Sequence, residues 1–417
     1  MPDGREPTQV DVLAAIDEVD PAEWDACAGG VSVAAPGASN PFISHGFLSA
    51  LEDSGSVAAD TGWLPRHLAV RDEAGALIAA APLYLKSHSY GEYVFDWGWA
   101  EAYERAGGRY YPKLVCAVPF TPVTGRRRLV RPDVAAPLAD QLADALAEAM
   151  ATLAQRLGAS SVHVNFATHA EWRRLGERGY LLRQGHQFHW TNHGYRDFDD
   201  FLAALSSRKR KAIRKERRAV AGHRLDIRAL TGAEITEAHW DAFYRFYRAT
   251  SDKKWGPNYL TREFFSLLGE RLGRRVVMVF VRDAAGEPVA GALNLIGGDT
   301  LYGRNWGVLG GRLKGAAARY DFLHFEACYY QAVDYAIAHG LKRVEAGAQG
   351  PHKLQRGYLP TPTYSAHWIA DPALRAAVER FLASERRDVA FEMRLLAAHS
   401  PFRRPQAPEN KDEKEPG

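Results

Sequence analysis

Between residues 345 and 360 the chain gathers a carboxylate, an imidazole and two cations: Glu345, then Gly347-Ala-Gln-Gly-Pro-His-Lys-Leu-Gln-Arg-Gly-Tyr-Leu-Pro360, which carries His352, Lys353, Arg356 and Tyr358. A base beside cations suits proton removal from a nucleophile, and the glycines let a ligand approach the backbone. A tight connection with solvated polar residues would read the same way. A second cluster, Gly307-Val-Leu-Gly-Gly-Arg-Leu-Lys-Gly315, separates an expected strand from a helix starting near Asp321. Free N–H groups and the helix dipole would there meet a phosphate or pyrophosphate, although the run matches neither a P-loop nor GxGxxG.

The third cluster is Arg208-Lys-Arg-Lys-Ala-Ile-Arg-Lys-Glu-Arg-Arg218, eight cations with one Glu. On a helical wheel Arg210, Lys211, Arg214, Arg217 and Arg218 share one side, while Ala212, Ile213, Ala219 and Val220 face away. Such a helix buries one side; its basic side is either solvated or turned to a nucleotide, tRNA or another phosphorylated partner. In the first half, Asp96, Trp97, Tyr110, Tyr111 and Lys113 mix aromatics with charge, as the wall of an acceptor cleft or as satellite core. His186 and His189 stand three apart in an expected strand, on opposite faces, so they are not a metal pair. No GxSxG is present, which argues against a serine hydrolase.

A weak internal repeat supplies the elements that must position these residues. Val70-Arg-Asp-Glu-Ala-Gly-Ala-Leu-Ile-Ala-Ala-Ala81 matches Val281-Arg-Asp-Ala-Ala-Gly-Glu-Pro-Val-Ala-Gly-Ala292, each reading as a hairpin about an Asp-x-x-Gly turn. A third strand is expected after each, Tyr93 to Gly98 and Tyr302 to Gly307. Then come a loop, a long helix (Ala135 to Leu157; Tyr320 to His339, with Asp321 as cap and Gly340 as stop) and a short strand (Ser161 to Phe166; Arg343 to Ala346). The same order twice implies two related domains.

Length and composition set the outer limits. At roughly 150 residues per domain, 417 residues hold two or three domains, and the 46% apolar and 25% charged content is that of a globular protein. The net charge of +3 hides the basic run and announces neither DNA nor an anionic membrane. Three cysteines without a CxxC fit a reducing cytoplasm and neither a disulfide framework nor zinc. Met1 to Asp20 lacks the basic head and apolar run of a secretory signal, and the longest apolar stretch, Ala76 to Leu85, is about half the ~20 residues a membrane span needs. A soluble, cytoplasmic protein without membrane insertion is expected. Residues 1–39 read as a partly flexible lead-in and 401–417 as a disordered tail.

With Asn40-Pro-Phe-Ile-Ser-His45, Tyr110-Tyr-Pro-Lys-Leu114, Pro119-Phe-Thr-Pro-Val-Thr-Gly125, the basic helix, Leu323-His-Phe-Glu326 and Gly347-Ala-Gln-Gly350 before His352-Lys353, the chain resembles the bacterial FemAB-like branch of the GNAT acyltransferases from about Asn40 to Phe402. The resemblance implies a mixed α/β (α+β) fold of two tandem GNAT-like domains, each a mostly antiparallel sheet flanked by helices. The first, 40–195, would be the acceptor side; the second, 196–400, the donor side with the basic helix at 207–220. It places an acyl donor along Tyr302 to Gly307, beside Arg304 and Trp306, with its pyrophosphate at Gly310, Gly311, Arg312 and Lys314. Arg210 and Arg214 resemble phosphate ligands, and Lys353 a lysine that stabilises the transition state.

Two positions depart from the family pattern: the loop 310–315 lacks the GNAT Gln/Arg-x-x-Gly-x-Gly/Ala signature, and Pro351 stands where a Glu is expected. The reading that follows is an N-acyltransferase with no permanently bound cofactor and acyl-CoA as cosubstrate. Glu345 or His352 removes a proton through water, Lys353 supports an oxyanion or phosphate, and Asp96, Trp97, Tyr110, Tyr111, Lys113, Arg356 and Tyr358 line the acceptor cleft for a small-molecule or cell-wall-precursor amine. Two alternatives are an aminoacyl-tRNA-dependent peptidoglycan-type ligase and a non-catalytic binding protein for a phosphorylated partner.

Overall fold

The computed structural model describes residues 9–29, 40–251, 258–309, 320–347 and 350–403. Chain order gives the strands β1 (Asp11–Leu13), β2 (Trp63–Pro65), β3 (His67–Arg71), β4 (Leu77–Ala81), β5 (Leu83–Lys86), β6 (Lys113–Cys116), β7 (Leu129–Val130), β8 (Ser161–Ala167) and β9 (Leu181–Thr191), followed by β10 (Asp226–Thr231), β11 (Val276–Arg282), β12 (Pro288–Gly297), β13 (Thr300–Val308), β14 (Arg343–Glu345) and β15 (Leu359–Ile369). They form a small sheet, β1-β3-β4-β7, and a large one of eleven strands, β10-β11-β12-β13-β14-β9-β15-β8-β6-β5-β2.

The expected repeat is present down to its irregularities. In both hairpins an Asp side chain accepts from two backbone N–H groups of the turn, Ala74 and Ala76 on Asp72, Ala285 and Glu287 on Asp283. The glycines closing these turns have φ +84° (Gly75) and +85° (Gly286), where a side chain would be strained. Both ladders bulge at the Val-Arg step before the turn, Val70/Arg71 and Val281/Arg282. Both halves then make one parallel pair, β6 with β8 and β13 with β14. The helices Ala136–Arg156 and Gln331–Ala338 lie between the paired strands in sequence.

Several expectations fail. The stretch Tyr93 to Gly98 is no strand: Tyr93 has φ +58° and a helix runs from Trp97 to Arg105, so β6 supplies the third strand of the first half. The reason is the buried Lys113, which draws the polar side chains of the preceding loop inward and prevents extended pairing. The helix expected from Asp321 starts at Leu323 after Phe322 in a left-handed conformation, so Asp321 does not cap it, and it passes through a π turn at Glu326–Tyr330. Residues 9–29, within the partly flexible lead-in expected at 1–39, are folded: β1 pairs with β3, and the helix Pro21–Cys27, capped by Asp20, buries Trp24 completely. At the other end Phe402 bridges to Leu205 and lies on the Phe201 ring, so the tail is docked through residue 403, and 404–417 lie outside the described residues.

The last strand ties the halves together. β15 pairs with β9 on one side and β8 on the other, and the helix Pro372–Ala398 packs over β9 and β15. Two glycines set the approach of layers around β13. A Cβ on Gly307 would lie 2.2 Å from the Phe246 carbonyl carbon in the helix Glu237–Ser251, and one on Gly303 would lie 3.3 Å from the Glu345 carbonyl oxygen.

Candidate active site

The parallel register of β13 and β14 ends at Tyr302 opposite Glu345, while β13 runs on to Val308. The two strands therefore part at Glu345. In the first half the same parting, beyond Cys116 and Val164, is filled by the protein itself: buried Arg127 donates from Nε to the Asn165 carbonyl (2.8 Å) and from Nη2 to that of Val123 (2.6 Å), and Gly125 N–H bonds the Phe166 carbonyl (3.0 Å).

Glu345 is 5% exposed, and its Oε2 has no hydrogen-bond partner among the described residues. A buried, unpaired carboxylate oxygen holds its proton more tightly. Burial pushes the Glu345 carboxyl up to about 7 against the pull of Arg343 and Arg304. Beside it, His189 Nδ1 lies 3.8 Å from Glu345 Oε1, and burial, with Arg343 and Lys353 nearby, takes this imidazole down to about 3, so it is neutral. Arg304, on β13, donates to the Phe120 carbonyl (2.7 Å) and lies 5.5 Å over the Phe42 ring, joining the halves at this point.

Lys353, 3% exposed in the 3-10 turn Pro351–Arg356, donates from Nζ to the Gly347 carbonyl at 2.9 Å and so belongs to the same strand end as Glu345. His352 is directed elsewhere: its Nε2 is 2.9 Å from the Tyr329 hydroxyl, and its ring lies against Phe325 and His324, the latter also touching Trp306. The donor-loop residues Gly310, Gly311, Arg312 and Lys314 lie outside the described residues.

The basic helix forms at Ser207–Gly222 with Ile213 and Val220 buried, as its pattern requires. Its wheel conceals a division of labour. Arg217 turns inward to Glu326 (2.9 Å) and Asp334 (2.7 Å), Arg214 pairs with Asp199 (2.7 Å), and Glu216 receives Arg356 (2.9 Å). Arg210 is half-buried, and Arg208, Lys211, Lys215 and Arg218 are exposed.

The residues expected to wall an acceptor cleft are dispersed and largely buried. Asp96, Tyr110 and Lys113 are at most 1% exposed and bond one another: Lys113 Nζ bonds Asp96 and, at 2.9 Å, Glu92, and the Tyr110 hydroxyl donates to Asp96 at 2.7 Å. Against the upward push of burial the Lys113 ammonium holds the Asp96 carboxyl well below the usual range. Tyr111 bonds Ser89 at 2.9 Å, and Trp97, 40% exposed, packs on Tyr90. Arg356 bonds Glu216 and the Tyr330 hydroxyl over the Phe325 ring, and Tyr358 is fully buried, so both hold the basic helix and the π turn in place. His189 was invisible as a site residue because its partner Glu345 is 156 positions away; the alternation of β9, which puts His189 and Gln187 on one face, was the available signal.

Among the described residues no group of three His, Cys, Asp or Glu side chains is placed to hold a metal ion, and no helix is long and apolar enough to cross a membrane. A family model described as FemAB-like, peptidoglycan biosynthesis/recognition, matches residues 15–404. Among solved structures, FemX is similar with a TM-score of 0.52 at 12% identity, over 87% of this chain and 98% of its own. A tandem GNAT protein from the clavulanic acid biosynthesis pathway gives 0.44 at 13% identity over 87% and 99%, and L-PGS from Bacillus licheniformis 0.44 at 11% over 85% and 96%. No curated protein sequence matches the chain.

Proposed function

Because the chain belongs to the FemAB-like family, with the tandem GNAT-type fold, we propose that it is an N-acyltransferase passing an acyl or aminoacyl group from an activated, phosphate-bearing donor to an amine. The observation that carries this reading is Glu345, a buried carboxyl with one oxygen unpaired among the described residues and a pKa pushed up to about 7 at the point where β13 and β14 part.

Acyl transfer to nitrogen needs a neutral amine and somewhere for its proton to go. In the proposed path the amine attacks the donor carbonyl, the new C–N bond forms, and the nitrogen's proton passes to Glu345, directly or through one water. The carbonyl re-forms as the donor's thiol or hydroxyl leaves, taking a proton. A base with a pKa near 7 is half-ionised at the working pH and returns the proton readily. Geometry favours Glu345 over His352, whose Nε2 is engaged by Tyr329. Lys353 supplies the cation for the oxyanion or a donor phosphate, and Arg304 and Trp306 on β13 would flank the donor.

Acyl-CoA and aminoacyl-tRNA both satisfy this chemistry; the exposed cations of the helix Ser207–Gly222 favour keeping the second. Titration with acetyl-CoA and with an alanyl-tRNA acceptor-stem minihelix between about 50 and 200 mM salt separates them. Contact with five phosphates of a duplex weakens binding by two to three orders of magnitude over that range, and a CoA ester loses far less. Binding of neither, or full activity of Glu345→Gln, overturns the proposal.

A further inference from the structure

The strand order β13-β14-β9-β15 puts the donor edge on one side of Glu345 and β9 with β15 on the other. On that other side lies a cavity of about 190 Å³, lined by Gln187 on β9, Thr363 and Ser365 on β15, Phe166 near the end of β8, and Tyr93 and Phe95 from the loop before the helix Trp97–Arg105. Gln187 leads directly to the candidate base: its Oε1 is 3.4 Å from His189 Nε2, and His189 Nδ1 is 3.8 Å from Glu345.

The lining has a definite chemistry. Arg183 and Glu385 cancel each other through hydrogen bonds of 2.6 and 2.8 Å, and the rest of the lining is aromatic faces, amides, hydroxyls and the His186 imidazole, whose Nδ1 lies 4.0 Å from Glu392. Two of its aromatic residues, Tyr93 (φ +58°) and Phe166 (φ +55°), hold backbone conformations that bulky residues rarely adopt, strain that persists only where the surroundings enforce it.

What enforces it at Tyr93 is Lys113. Fully buried, its ammonium bonds Ser89 Oγ (2.7 Å), Glu92 Oε2 (2.9 Å) and an Asp96 oxygen, three side chains of the same loop, while Arg183 holds the Phe95 carbonyl at 2.7 Å. The loop is thereby drawn onto the sheet with Tyr93 and Phe95 as a wall of the cavity.

We propose that this cavity binds the amine-bearing acceptor, taking an uncharged fragment of amino-acid or monosaccharide size beside the amino group, and that Lys113 is a positioning residue that holds the loop Ser89–Asp96 as its wall. A volume of 190 Å³ is the space of about six waters, which sets that size. Only the fate of the amine rests on the acyl-transfer reading; the cavity and its wall do not.

The test uses the full chain carrying Thr363→Cys, a cysteine inside the cavity, and follows its modification by methyl methanethiosulfonate through peptide mass spectrometry. L-alaninamide and glucosamine should slow labelling by the factor 1 + [L]/Kd, about threefold at twice Kd, and O-phosphoethanolamine should not. No protection by L-alaninamide or glucosamine, or equal protection by O-phosphoethanolamine, overturns the site. Adding Glu92→Gln should speed labelling by about tenfold as the wall loosens. Ser89→Ala, which keeps both ion pairs, should act in the same direction where Glu92→Gln does not fold. An unchanged rate in the folded variants overturns the role of Lys113. Protection by these amines in a wild-type protein that transfers no acyl group from either acetyl-CoA or aminoacyl-tRNA would refute the acyl-transfer reading and leave the cavity assignment standing.

Discussion

Glu345→Gln should change stability in a way that depends on pH, and the sign follows from burial. The folded carboxyl titrates near 7 against an ordinary value of 4.5, so the folded state holds its proton more tightly than the unfolded chain. Its stabilising contribution is complete below pH 4.5 and disappears as pH rises through 7. Between pH 5 and pH 8 the loss amounts to about 2.5 kcal/mol, which for a chain of this length is a Tm change of about 3 °C. Glutamine does not titrate, and any constant cost of burying its amide cancels between the two pH values. Paired thermal denaturation at pH 5 and pH 8 should therefore show wild type losing about 2.5 kcal/mol relative to Glu345→Gln. In the same proteins kcat/KM should rise with unit slope up to about pH 7 and then level, and Glu345→Gln should lose about 10²–10⁴-fold. A stability difference that is flat across this range, or of opposite sign, would show that Glu345 is ionised throughout and would remove the argument for it as base.

Three other perturbations separate chemistry from scaffolding. Lys353→Met should lower turnover by about a hundredfold or more with an unchanged circular dichroism spectrum, and an unaltered rate removes Lys353 from the reaction. Gly307→Ala forces a methyl group against the Phe246 backbone at 2.2 Å and should cost about 3 kcal/mol or more in urea unfolding, whereas Gly55→Ala, with open space around it and only its φ of +67° to resist, should cost about 1 kcal/mol. Arg217→Ala leaves Glu326 buried without its cation and should destabilise by about 3 kcal/mol, whereas exposed Lys211→Ala should leave Tm unchanged and reduce only the salt dependence of polyanion binding.

What could be read from the sequence was what is local. The Asp-x-x-Gly turns announce the two hairpins because the Asp side chain and the following glycine make the turn by themselves, and the basic helix follows from Ile213 and Val220 at helical spacing. Glu345 was legible near the end of a short strand, Arg343 to Ala346, before a glycine-rich loop. The remainder depends on long-range partners. Lys113 is a lysine by sequence, and only its burial beneath Glu92 and Asp96 makes it a loop anchor instead of a cleft residue. Aromatic alternation at Tyr93 to Gly98 reads as a strand until that anchor bends it. Arg356 and Tyr358 were named for their proximity in sequence to Lys353, but their partners Glu216 and Tyr329 direct them away from it.

The central position of β15 has a consequence for how the protein is made. The chain leaves the first half at β9, and the strand that fills the place between β8 and β9 comes only at Leu359–Ile369, where His367 meets His163 across 204 residues at 2.7 Å. Until those residues have left the ribosome, β8 and β9 present unpaired edges to one another. The amino-terminal half thus cannot mature first, as domains commonly do during synthesis. A nascent chain stopped before residue 359 should expose both edges, recruit chaperones and resist purification, while the completed chain closes its sheet in one late, long-range step of the kind that makes folding slow.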